Sequence, residues 1–279
     1  MSFCLLNDNG VKMLFESNHQ KYSKNDLVAV LKNAGICSGD SICVHSELFG
    51  LGKILKTKDE FLNDIISALC SCVGADIHKP KSSLGTVIVP TFTYDFCKSG
   101  VYDKKNSRSE VGILGEYFRK LPNVYRSDDP IFNFAIFGKD TDKYKGFSLS
   151  CFGEQSIFKK MIDNNVKFIT LGTTDTGCTL VHYCEELLQV PYRYYKDFFG
   201  KIIDENSIQK ECKIKYFVRK LDMPSMLSVP KIKEILIKDR AIKIYTLGSA
   251  QIGVMSAKEY FASLFNALKN DNSIFLRNS

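Results

Sequence analysis

The chain has 279 residues, 44% hydrophobic and 25% charged, with a formal charge of +7, a length and balance that bury a large core without disulfides or a structural metal. That composition excludes intrinsic disorder, and no apolar run approaches the ~20 residues a membrane span needs. The ten cysteines lie mostly in apolar runs and show neither C-x-x-C nor H-E-x-x-H spacing, so free thiols in a reducing cytosol are expected and a metal site is not.

Residues 1–21 are interrupted by Asn7, Asp8, Asn9 and Glu16 and lack the basic and apolar regions of a signal peptide, so a cytoplasmic location is expected. The positive charge favours anionic partners. Its lysines are dispersed, however, and in residues 201–240 they alternate with Asp204, Glu205, Glu211, Asp222, Glu234 and Asp239, as on a solvated face. Neither nucleic acid nor membrane is expected as a partner; phosphorylated small molecules fit better, and self-association is left open.

In chain order, Ser23-Lys-Asn-Asp26 followed by Leu27, Val30, Leu31 and Ala34 predicts a capped helix ending at Gly35. A strand over 41–45 ends on His45-Ser46, a helix fits 58–73, and a strand over 85–90 opens directly into Thr91-Phe92-Thr93. A helix follows over 112–120, then a turn at Pro122, a strand over 132–137 and a buried strand over 166–171. That strand runs into Gly172-Thr-Thr-Asp-Thr-Gly177 before a helix carrying Thr179, His182 and Glu185. The β-like runs 212–218 and 242–247 precede an amphipathic helix over 257–269. With no linker or repeat, residues 1–279 read as one α/β domain. Polar segments recur at strand carboxyl ends, where open α/β sheets build their sites.

The sharpest local pattern is Thr179-Leu-Val-His182-Tyr-Cys-Glu185-Glu186. On a helix His182 and Glu185 share a face, and a carboxylate beside an imidazole fixes its tautomer and stabilises the imidazolium, giving a general base with its orienter. Spacing also allows Glu186 at i+4, and taken alone it favours an ordinary surface pair. Cys184 sits about 200° round the helix from His182 and is a poor nucleophile for it. His45-Ser46 fits a ligand contact or a hydrogen-bonded core histidine. Residues 90–93 fit donors to a thioester or the end of a strand, and Arg126-Ser127 fits a phosphate contact or a turn around Asp128-Asp129-Pro130.

The order of these pieces resembles the aminoglycoside 3-N-acetyltransferase family. The matching segments are Gly39-Asp40 leading to Val44-His45-Ser46 with Leu48 and Gly52; Gly85-Thr86 leading to Pro90-Thr-Phe-Thr93; Gly112 with Glu116 and Phe118-Arg119; Arg126-Ser127 with Pro130; Gly138; and Leu171-Gly172 leading to Thr179 and His182-x-x-Glu185. They span residues 25–195. The resemblance implies a three-layer α/β/α fold with a mixed sheet and acetyl-CoA as cosubstrate. It implies His182 as catalytic base with Glu185 its partner, and a CoA cleft lined by His45, Ser46, Thr91, Phe92, Thr93, Arg126 and Ser127. Where family members commonly read His-Ser-Ser, this chain has His45-Ser46-Glu47; an acid beside a CoA phosphate would be unfavourable, so the resemblance does not extend to a third contact at Glu47. Arg126-Ser-Asp-Asp-Pro-Ile-Phe132 and Tyr94-Asp-Phe-Cys97 look more like relatives found with bacterial surface-polysaccharide genes.

The expected acceptor is therefore a small-molecule amine on an amino sugar, nucleotide-linked for surface glycan synthesis, with Asp95, Asp129, Thr173, Asp175 and Thr176 at its site. An aminoglycoside, which would draw on Asp95, Asp128, Asp129 and Asp175, is the alternative acceptor. A CoA-binding scaffold with an inactive site and a metal-assisted hydrolase using His182, Glu185 and Asp175 are the other readings.

Overall fold

The computed structural model describes residues 12–174 and 178–277; Asp175 and Thr176, expected at the acceptor site, lie outside the described residues. An N-terminal hairpin, β1 (Met13–Ser17) and β2 (Gln20–Ser23), leads into α1 (Lys24–Asn33). The reciprocal capping box between Ser23 and Asp26 starts that helix, and Gly35, at φ +87°, follows its end. Next come β3 (Ser41–Ser46), β4 (Lys53–Ile54) and α2 (Lys58–Val73), whose capping box joins Thr57 and Glu60 and whose C-terminus closes on left-handed Gly74. β5 (Thr86–Pro90), α3 (Phe96–Ser99), β6 (Val101–Asp103), α4 (Ile113–Phe118), β7 (Tyr125–Arg126) and β8 (Phe134–Gly138) follow. α5 (Ile157–Asp163), β9 (Lys167–Gly172) and α6 (Val181–Leu187) come next, then β10 (Arg193–Ile203), β11 (Gln209–Arg219), α7 (Val229–Lys238), β12 (Lys243–Leu247), β13 (Ala250–Ser256) and α8 (Ala257–Asn270).

The central sheet has the order β12-β13-β9-β3-β5-β8-β7. β9, β3 and β5 run parallel, while the pairings outside them are antiparallel. Parallel strands covered on both faces need apolar residues on both, which is why 41–45, 85–90 and 166–171 read as continuous hydrophobic runs. Alternate residues divide between two cores, as the period of two requires. Ile42, Val44, Val87, Val89, Ile169 and Leu171 pack toward Leu27, Phe61, Ile65 and Leu114 of α1, α2 and α4. Cys43, Ile88 and Phe168 pack toward Phe158, Val181, Ile232 and Leu264 of α5, α6, α7 and α8. This is the expected three-layer α/β/α arrangement with a mixed sheet.

Some boundaries move for local reasons. Asp129 Oδ1 accepts from the backbone N–H groups of Ile131 (2.8 Å) and Phe132 (2.7 Å), so the chain turns there and β8 starts only at Phe134. Thr179 lies in the turn before α6 rather than on the helix. The hairpin β10–β11, with β6 added as a parallel edge, forms a separate three-stranded sheet. Its register starts at Arg193 paired with Arg219, which brings Arg193 to α6.

Candidate active site

The site stands at the carboxyl ends of the parallel strands. At the end of β9, Gly172 has φ +102°, and a Cβ there would lie 2.0 Å from the carbonyl oxygen of Glu47. Glu47 N–H in turn donates to Leu171 O at 2.8 Å. A backbone approach this close and a left-handed φ both require glycine, and they tie the segment after His45-Ser46 to the strand that leads to α6.

On α6, His182 Nδ1 is 2.5 Å from Glu185 Oε2. The His182 side chain is 22% exposed and that of Glu185 fully buried. Spacing left Glu185 and Glu186 as equal candidates; the distances choose Glu185. Glu186 Oε1 instead accepts from Ser150 Oγ at 2.7 Å. Cys184 is buried, with Sγ 4.0 Å from Phe261 O, and burial, with Glu185 adding, pushes its thiol up. A cysteine acyl-enzyme therefore has no reactive thiolate here.

Arg193 is a third member that the sequence reading missed. Its Nε lies 2.8 Å from Glu185 Oε2, and its Nη2 lies 3.0 Å from His182 Nδ1. Its Nη1 donates to Phe217 O at 3.0 Å. A guanidinium only donates and a carboxylate only accepts. The 2.5 Å contact with Glu185 requires a proton between the two atoms, so Nδ1 is assigned the hydrogen and Nε2 is left as the basic nitrogen. Burial first, then the Arg193 charge, lower the His182 pKa against the opposing pull of Glu185, which keeps the ring neutral. Burial pushes Glu185 up, but His182 and Arg193 outweigh it and hold the carboxyl below its ordinary range. The partner completing the pair is a guanidinium, which cannot ligate a metal, and this donor set suits proton transfer rather than metal-assisted hydrolysis.

Three adjoining cavities, each about 330–350 Å³, run along the strand ends. The one at His182 is lined by Thr179, Arg193, Tyr216, Arg219, Met226 and Ile232 among others. Thr179 also lines the middle cavity, with His45, Ser46, Pro90, Phe92 and Gly115. Ser46 and Gly112 join the middle cavity to the third. His45, Ser46 and Phe92 thus come together as the sequence suggested. His45 is buried, with Nε2 3.9 Å from the sulfurs of both Cys43 and Cys178, and burial lowers its pKa to about 4, so it lines the cavity as a neutral ring.

The other residues expected at the CoA cleft are turned inward. Arg126 is 4% exposed, donating from Nε to Asn133 Oδ1 (2.9 Å), from Nη1 to Ser107 O (2.5 Å) and from Nη2 to Thr91 O (2.8 Å). Its fork is filled by the protein itself, so it does not reach the cavities as a phosphate ligand. Thr91 Oγ1 donates to Asn133 Oδ1 (2.8 Å), Thr93 Oγ1 donates to Pro130 O (2.6 Å), and Ser127 Oγ accepts from Phe134 N–H (2.9 Å). Together these residues form a buried polar hub bracing the loop after β5 against β8.

Among the residues expected at the acceptor, Asp95 is exposed beside α3 and Thr173 is half-buried after β9. Asp129 is buried and pushed up to about 6 by burial despite the two backbone hydrogen bonds it accepts. Neither Asp95, Asp129 nor Thr173 lines the cavity at His182.

The family model for aminoglycoside 3-N-acetyltransferase matches residues 43–269. The chain is 23% identical over 266 residues to the SPbeta prophage-derived aminoglycoside N(3')-acetyltransferase-like protein YokD of Bacillus subtilis strain 168, covering 89% of this chain and 93% of that protein. Among solved structures it is similar to AAC-IIIb in a binary complex with CoASH, at 22% identity and TM-score 0.72, covering 92% of this chain and 98% of that one. It is likewise similar to AAC-VIa bound to sisomicin, at 17% identity and TM-score 0.72, covering 89% and 98%. At these identities the structural likeness is one of fold.

Proposed function

The chain belongs to the aminoglycoside 3-N-acetyltransferase family, acyltransferases that use acetyl-CoA, and from that premise we propose that it transfers acetyl to an amino group of an aminoglycoside, with His182 as general base. The observation that carries the reading is the neutral His182, its Nδ1–H held by Glu185 at 2.5 Å, facing a cavity that adjoins the His45-Ser46 cleft.

An alkylammonium has no lone pair with which to attack a thioester. His182 Nε2 takes a proton from the acceptor nitrogen as the N–C bond forms and the C–S bond breaks, and the thiolate leaves to be protonated. Glu185 stabilises the resulting imidazolium, while Arg193 holds that carboxylate ionised. Thr179 lines both cavities, which supports its hydroxyl as the donor to the developing oxyanion. The middle cavity, uncharged and with the polar His45, Ser46 and Thr179 beside Val89 and Phe92 in its wall, suits the amide-bearing thioester arm of acetyl-CoA.

The names of the relatives support an aminoglycoside acceptor over the nucleotide-linked amino sugar expected from the sequence. One observation favours the second reading: Arg219 lines the His182 cavity beside Arg193, and no carboxylate lines it among the described residues. That wall suits an acceptor amine with an anionic substituent better than a polycation. Mass spectrometry of products from acetyl-CoA incubated with aminoglycosides, neutral amino sugars and phosphorylated amino sugars tests both. Acetylated aminoglycoside is the expected product; acetylation of phosphorylated sugars alone would transfer the assignment to the second reading, and no acetylated amine from any member would overturn both.

A further inference from the structure

Glu185 is held through only one of its two carboxylate oxygens. Oε2 meets His182 Nδ1 at 2.5 Å and Arg193 Nε at 2.8 Å, while Oε1 is buried without a hydrogen-bond partner among the described residues. An ionised carboxylate has room for about four hydrogen bonds, and an acceptor left open in the interior is costly. The turn between α6 and β10 folds back against this residue, Val190 N–H donating to the backbone carbonyl of Glu185 at 3.2 Å. Two residues on, Tyr192 is 1% exposed with its ring packed in the core behind α6 and α8, and its hydroxyl is likewise buried without a partner among the described residues. After burial, the charge of Glu185 and its acceptor oxygen do most to raise that hydroxyl, so the unpaired donor and the unpaired acceptor are neighbours.

We infer that Tyr192 is a further positioning residue: its hydroxyl donates to Glu185 Oε1 and fixes the plane of the carboxylate while His182 takes up the proton of the acceptor amine. The terminal torsion of a glutamate is broad and roughly two-fold, so two contacts on a single oxygen leave the group free to swing about them. A donor on the other oxygen removes that freedom and keeps Oε2 on His182 Nδ1 as the imidazolium forms. The fold supplies this donor together with Arg193. The two residues are consecutive, and Lys220 N–H donating to Tyr192 O at 2.9 Å carries the β10–β11 ladder one residue beyond the Arg193–Arg219 pair. One strand start thus brings a guanidinium to Oε2 and a phenol to Oε1. The inference rests on His182 as general base, and it adds a group that acts through Glu185 without touching substrate.

The test is steady-state acetyl transfer by the full chain and its Tyr192→Phe, Glu185→Gln and doubly substituted variants, with acetyl-CoA and sisomicin, or a phosphorylated glucosamine should the product panel select that class. Tyr192→Phe keeps the packed ring and removes only the hydroxyl. A hydrogen bond to a charged group, at the weaker end of its range, corresponds to about tenfold in rate. In Tyr192→Phe, kcat should fall about tenfold while both KM values stay within about twofold of the parent's. In the Glu185→Gln background the same change should alter kcat by less than about twofold, because the amide places its oxygen on His182 and Arg193 and turns toward Tyr192 a group that needs no donor. A parental kcat in Tyr192→Phe, or the same tenfold loss in both backgrounds, would overturn the inference. His182→Ala, assayed alongside, separates it from the reading it rests on. Near-parental transfer there would overturn both, whereas slow His182→Ala with a parental Tyr192→Phe would overturn the role of Tyr192 alone.

Discussion

Replacing Glu185 with Gln keeps the side-chain volume and removes the one negative charge that both His182 and Arg193 lean on. The Glu185 side chain is 0% exposed and that of Arg193 5% exposed, so the change leaves a buried guanidinium without its counter-ion. Breaking a buried pair from one side costs about 3–5 kcal/mol, and at ~2 °C per kcal/mol for a chain of this size the melting temperature should fall by roughly 6–10 °C. Turnover should fall ~10²–10⁴-fold, because the imidazole loses the partner that fixes its tautomer and stabilises its protonated form.

The pH profile makes the reasoning sharper. In the parent chain the His182 pKa is lowered, by burial first and then by Arg193, against the pull of Glu185. Its acid limb therefore lies below the ordinary imidazole value of about 6.5. Glu185→Gln removes the only opposing influence, so the limb should move to still lower pH. Arg193→Met removes a depressing charge, so its limb should move to higher pH. The groups facing His182 are Glu185 on its own helix, Arg193 on β10 and the Phe152 ring, with Tyr216 and Arg219 of β11 across the cavity. Assays of CoA thiol release across pH 5–9 read both limbs. Movement in the same direction in the two variants, or none in either, would refute the electrostatic assignment.

Arg126→Met strips the donors from the hub of Thr91, Ser107 and Asn133; Asn133 Oδ1 keeps its bond from Thr91 Oγ1, but the buried Thr91 carbonyl and the part-buried Ser107 carbonyl lose the guanidinium, at ~1–3 kcal/mol for a buried acceptor left unpaired. Thermal denaturation should show a loss larger than for any exposed lysine-to-methionine change, and coenzyme A affinity measured below the transition should stay within about twofold of the parent's, since Arg126 does not reach the cavities. Cys184→Ala should keep turnover near the parent's, and iodoacetamide should label this buried, unionised thiol slowly in the native chain; strong inactivation by alkylation of Cys184 would contradict its placement.

How far the sequence carried depended on whether a feature was local. α2 was legible to its ends because Thr57, Glu60 and Gly74 cap it and its apolar residues keep helical spacing. The central strands were legible because burial on both faces demands uninterrupted apolar runs. The β10–β11 hairpin was largely missed because it is half solvated and its charges obscure the alternation, so its residues read as a dispersed basic face. Arg193 could not be found from spacing, since it comes from a different element, and only the register of that hairpin delivers it to Glu185. Glu185 and Glu186 were indistinguishable until Ser150, distant in sequence, occupied the second. Arg126 looked like a phosphate ligand beside Asp128-Asp129, yet the backbone carbonyls that fill its fork come from separate segments.

The central claim is that His182 takes the proton from the attacking amine. The most direct measurement pairs single-turnover acetyl transfer with calorimetric titration of coenzyme A for the parent chain and His182→Ala. The predicted result is a rate lowered by ~10²–10⁴ with coenzyme A affinity unchanged. Near-parental transfer by His182→Ala would contradict it.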